Sequence, residues 1–100
     1  MSVNAPFNPR RGANQPVTAG AASASISIDP AAKSVRIVNV DAANVAHIRI
    51  GTDAQTATTA DLPIRPNSEI IVSKGEGENT LAYISAAGAA LHVQTGEGGI

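Results

Sequence analysis

The sequence predicts an all-β chain: a small antiparallel β-sandwich or β-barrel of six to seven short strands with an extended N-terminal arm. Three observations carry that expectation. From residue 23 onward, short runs alternate apolar and polar residues, the period of a half-buried strand. Clusters of Gly, Pro, Asn and Asp interrupt these runs at roughly ten-residue spacing, which is typical of sandwiches and barrels. No stretch carries a helical period. Ala is abundant and is the best helix former, but its runs lack the flanking Leu, Glu and Lys that would make a face.

The elements follow in order. Residues 1–22 hold Pro6, Pro9, Pro16, Gly12 and Gly20 and have no periodicity. Proline fixes φ and removes a donor, so this stretch cannot pair continuously as a central strand. It is expected to be an extended arm, either loose or docked on a neighbour. Phe7 would be its anchor, and Arg10 and Arg11 form the only basic cluster in the chain. The β-domain is expected over residues 23–100. Ser25, Ile26, Ser27 and Ile28 alternate as a strand that Asp29-Pro30 ends. Residues 34–40 form a second strand, with Val35 and Ile37 on one face and Arg36, Val38 and Val40 on the other. Residues 41–44 form a short turn, and 45–50 a third strand with Ile48 and Ile50 inward and His47 and Arg49 outward. The short turn suggests that these two strands form a hairpin.

Residues 54–61 are small and polar and fit either a short edge strand or a loop. Leu62-Pro63-Ile64 marks a corner with Leu62 and Ile64 tucked in. Further strands are expected at 69–74, at 80–85, and at 90–95 with Leu91 and Val93 inward. Residues 75–79 fit a solvated acidic hairpin turn, and 96–100 a loose tail. Consecutive strands with short links favour an antiparallel meander.

Composition bounds the chain to one domain of 100 residues. Of its 43% hydrophobic residues, Ala supplies 19 and Val, Ile and Leu together 21. The core is therefore aliphatic and thin, and association is the usual remedy for a marginal body of this size. The outward Val38 and Val40 are candidates for such an interface, unless another part of the same chain covers them. A net charge of −1 leaves no footprint for nucleic acid or an anionic membrane. The first residues contain no apolar segment of a secretory signal, and the expectation is a soluble cytoplasmic product, used as made.

The search for chemistry yields little. There is no cysteine, hence no disulfide, thiolate nucleophile or Cys-ligated zinc. His47 and His92 could share a metal only if their strands were neighbours, and no third ligand is spaced to help. Asp53, Asp61 and the Ser/Thr residues near them are explained by turn roles. Gly75-Glu76-Gly77-Glu78 lacks the Lys-Ser/Thr of a phosphate loop. The expectation is a chain with no catalytic residues, metal or cofactor. With one Tyr, one Phe and no Trp, sugar- and base-stacking surfaces are also disfavoured.

Residues 33–99 carry a sequence of motifs: Ser-Val-Arg-Ile-Val-Asn at 34–39, Ala-His-Ile-Arg-Ile-Gly at 46–51, Ala-Thr-Thr-Ala-Asp-Leu-Pro-Ile at 57–64, Asn-Ser-Glu-Ile-Ile at 67–71, Leu-Ala-Tyr-Ile-Ser-Ala-Ala-Gly at 81–88 and Val-Gln-Thr-Gly-Glu-Gly at 93–98. Their order resembles that of small structural proteins of tailed-bacteriophage heads. The resemblance implies a capsid decoration (cement) protein on the outside of the virion, made in the host cytoplasm. It would bind as a homo-oligomer over seams between major capsid subunits and have no nucleic-acid or membrane partner. A neck, tail or fibre-base component and a small non-catalytic binding module are the alternatives. The arm lies outside the resemblance.

Overall fold

Alternating side chains become strands here because each run can bury one face and leave the other to water or to a covering loop. The computed structural model of the chain describes residues 14–75 and 77–97, together with the strand pairing of residues 8 and 9. The strands are β1 (Asn8–Pro9), β2 (Gln15–Ala19), β3 (Ala24–Ser27), β4 (Ser34–Asn39), β5 (Ala46–Gly51), β6 (Leu62–Ile64), β7 (Ser68–Ser73), β8 (Thr80–Ile84) and β9 (Ala89–Glu97). There is no helix among the described residues.

The strands form two antiparallel sheets packed over one core. In the first, β9 pairs with β4, and β4 with β7. The other edge of β9 is lined end to end by β1 and β2: Asn8 and Pro9 lie opposite Glu97 and Gly96, and Gln15 to Ala19 opposite Val93 to Ala89. This sheet is thus four strands wide. The second sheet has the order β3-β8-β5-β6. Ala19, Val35, Ile37, Ala89, Leu91 and Val93 from the first sheet meet Ala46, Ile48, Ile64, Leu81 and Tyr83 from the second.

The expected inward faces of the strands at 34–39, 46–51 and 89–97 match this core. The pairings differ from expectation. The strands at 34–40 and 45–50 are not a hairpin, because β4 pairs with β7 and β9, while β5 pairs with β6 and β8. From β2 to β9, only the β5–β6 link stays within a sheet. Every other link from β2 to β9 crosses between sheets, so the chain is not a meander.

Side chains shape these crossings. Asp41 accepts the N–H groups of Ala43 and Asn44, while buried Asn39 donates to the carbonyls of Asn44 (2.8 Å) and Ile64 (3.1 Å). Those bonds turn residues 40–45 from one sheet toward the other. The link from β7 to β8, expected as a hairpin turn, likewise joins the two sheets. Buried Lys74 donates from Nζ to the carbonyls of Pro30 (3.0 Å) and Gly75 (3.2 Å), tying this crossing to the β3–β4 link. Gly88, at φ 91°, makes the tight β8–β9 crossing, a conformation that side-chain-bearing residues avoid.

Other differences concern single segments. Gln15–Ala19, read from the sequence as arm, is an edge strand of the body, the position where Pro16 is tolerated. The expected loose tail is strand as far as Glu97, because Gly96 sits between Pro9 and Ser34 in the ladder. Residues 54–61 are loop. Ile64 is fully buried as expected, but Leu62 is 45% exposed, because β6 is a short edge strand that nothing described covers.

Candidate interaction surface

Strand pairing lays out the outer face of the first sheet row by row. One row runs Pro16, His92, Val38, Glu69 across β2, β9, β4 and β7. The next runs Gln94, Arg36, Ile71. On the other side, Thr18 lies opposite Ala90, whose carbonyl accepts the Val40 N–H at 3.0 Å. Arg36 is the centre of this surface. Its Nε donates to the Glu69 carboxylate, and its Nη1 donates to Gln94 Oε1 at 2.9 Å. The guanidinium thus links side chains on three strands. Asn14, just before β2, has its Nδ2 3.1 Å from His92 Nδ1 on the same sheet.

Val38 is half-buried within this face, flanked by His92 and Glu69. Val40, just beyond the end of β4, is 47% exposed. The structure therefore brings both candidate interface valines to one surface. Phe7, Arg10 and Arg11, the other candidates, lie outside the described residues. The Arg36–Glu69–Gln94 network was not legible in the sequence: its members lie on β4, β7 and β9, and only the pairing of those strands reveals it.

The outer face of the second sheet is different. The loop at 52–61 folds over it, and Ala57 on the loop and Ala82 on β8 are both buried. The Ala57 N–H donates to Ser23 Oγ at 2.8 Å. Gln55 packs so close to Gly51 that a Cβ there would meet its side-chain carbonyl carbon at 2.5 Å. Arg49 Nε donates to Asp61 Oδ1 at 3.0 Å, and the Thr58 N–H donates to Asp61 Oδ2 at 2.7 Å. The Thr58 N–H holds the Asp61 carboxyl below its usual range against an opposing cost of desolvation, with Arg49 adding to the lowering.

The two histidines are not brought together. His47 faces outward from β5 and His92 outward from β9, on opposite sheets. Beside His47 in the ladder lie Pro63 and Ile84, neither with a side-chain acceptor, and its Nδ1 is buried without a hydrogen-bond partner. Among the described residues, no group of three or more His, Asp or Glu side chains gathers as metal ligands. Tyr83 lies in the core, so the described surface offers no aromatic platform.

Compared with known proteins, the chain matches no family model and no curated sequence.

Proposed function

We propose that the protein is a capsid decoration protein, bound to the outer surface of a tailed-phage head and reinforcing contacts between major capsid subunits. The observation that carries this reading is the strand connectivity. The orders β2-β9-β4-β7 and β3-β8-β5-β6, with crossings at nearly every link, are those of a jelly-roll sandwich, an architecture found in viral capsid domains as well as lectins and cupins. A shared architecture alone does not select among these uses. The resemblance to phage head proteins favours the capsid use, since its motifs occupy β4 to β9, one strand each and in order. The lectin use is disfavoured by the burial of Tyr83.

The physics suits such a part. A cement protein needs a rigid body and a broad, flat contact surface. The outer face around Arg36 and Val38 is four strands wide and charge-balanced at its centre. The N-terminal segment with Phe7, Arg10 and Arg11 supplies further contacts to a capsid neighbour. Many identical weak contacts then sum to firm attachment.

The test is stoichiometry. Quantitative mass spectrometry of purified particles should find hundreds of copies, in fixed proportion to the major capsid protein. A few copies per particle would replace this reading with a neck, tail or fibre-base component. Absence from particles would leave a stand-alone binding module.

A further inference from the structure

The two sheets present four lateral edges, and three of them are blunted. β1 and β2 carry Pro9 and Pro16, which cannot donate to a new strand. β6 has three residues, one of them Pro63. β3 has four, and the Ser27 carbonyl at its end already accepts Gln15 Nε2 at 2.9 Å. β7 has none of these devices. It is six residues long and its register with β4 runs without a bulge from Ser68 to Ser73. It contains no Pro, Lys or Arg, and its centre is Ile70, Ile71 and Val72, each half-buried. Among the described residues it pairs with β4 alone. Such an edge is a template for another strand.

The sequence of β7 identifies that strand. We infer that β7 pairs antiparallel with β7 of a second copy, across a two-fold axis at Ile71 that passes perpendicular to the sheet. An axis in that direction keeps core faces on one side and outer faces on the other, so residues opposite one another must share a face. Ile70 and Val72 face the core, and Glu69, Ile71 and Ser73 face outward. Centred on Ile71, the pairing sets Ile70 against Val72, Ile71 against Ile71, Glu69 against Ser73 and Ser68 against Lys74. Apolar meets apolar on both faces, and no like charges stand opposite each other. Centring on Ile70 instead would set Glu69 against Ile71 and Ser68 against Val72. The matched register extends the first sheet continuously through two bodies, an isologous contact of the kind that closes a dimer. One strand pair is a small contact, so the dimer dissociates on dilution.

This inference is independent of the capsid reading, because its test uses the free full-length protein. Sedimentation over a concentration series should show a monomer–dimer equilibrium. Ile71→Lys places two ammonium groups against each other at the axis. It should give a monomer at every concentration, with an unchanged circular dichroism spectrum. Ile71→Cys, in a chain with no other cysteine, brings two Cβ atoms to about 4.5–5.5 Å. It should be trapped as a covalent dimer by oxidation or a short bis-maleimide, whereas Val38→Cys on β4 should not. A wild-type monomer at all concentrations overturns the inference. So does a dimer that survives Ile71→Lys, or one that Ile71→Cys does not trap. A monomer that still decorates particles would overturn this inference and spare the capsid reading; a dimer absent from particles would do the reverse.

Discussion

The two lateral sides of the body solve one problem differently. On the β2–β3 side the crevice between the sheets is stitched: Gln15 on β2 reaches the Ser27 carbonyl on β3, and the Ser85 N–H donates to the Gly20 carbonyl at 2.9 Å in the link between them. Val17 and Ile26 pack beneath these bonds. On the β6–β7 side, buried Asn39 secures one end through the Ile64 carbonyl, and beyond it Leu62, Ile50, Ile70 and Val72 are only partly covered. Both sides border the same aliphatic core. The stitched side completes its own cover, whereas the open side leaves apolar surface and an unblunted strand for a neighbour. On the proposed pairing, a chain with so few large side chains gains stability from the copy that docks there.

The largest break in this contrast comes from removing the stitched side. Deleting residues 1–13 should leave a folded β-body. Deleting 1–19 also removes β2, strips Val17 and Ala19 from the core and bares the edge of β9. That variant should lose cooperative thermal unfolding by circular dichroism. Equal melting of the two truncations would show that β2 is dispensable.

Next in size is Asn39→Ala, which breaks the only described bond from β4 to β6. It strands the Asn44 and Ile64 carbonyls and the Asp41 N–H, three groups that Asn39 now satisfies. Leaving buried groups unpaired should cost about 3 kcal/mol in urea unfolding. Gln15→Ala removes one exposed bond on the stitched side, which should cost about 1 kcal/mol. If Gln15→Ala costs more than Asn39→Ala, the assignment of strengths to the two sides is reversed.

The smallest effect concerns the loop that covers the second sheet. The Asp61 carboxyl is held below the ordinary aspartate value of 3.8, so it binds a proton more readily in the unfolded chain than in the folded one. Its contribution to stability is full above that value and is lost as pH falls through the lower folded-state pKa. Asp61→Asn should therefore melt slightly below wild type at neutral pH and converge with it under strong acid. A gap that persists or widens in acid would contradict the assignment.

How far the sequence reveals this molecule depends on the range of the signal. Alternation is local, so β3, β4, β5, β7, β8 and β9 were legible, as were the inward faces of Val35, Ile37, Ile48, Leu91 and Val93. Pairing is not local. A four-residue link such as 41–44 serves a hairpin or a crossing equally well, and the deciding bonds from Asn39 and Asp41 look like ordinary turn chemistry in sequence. β2 was hidden because Pro16 argues against a strand except at an edge, and edges are known only once the sheet is assembled. The candidate surface was half legible: Val38 and Val40 stood out as an outward apolar pair, but Arg36, Glu69 and Gln94 meet only through the β9-β4-β7 ladder.

The central claim is that the open side, not the stitched one, is where a neighbour supplies stability. Hydrogen exchange of the full-length protein at low and high concentration tests it most directly. The account predicts that β7 amides facing away from β4 slow markedly as concentration rises, while those of β2 change little. Exchange in β7 that is independent of concentration, or protection that grows at β2 instead, would contradict it.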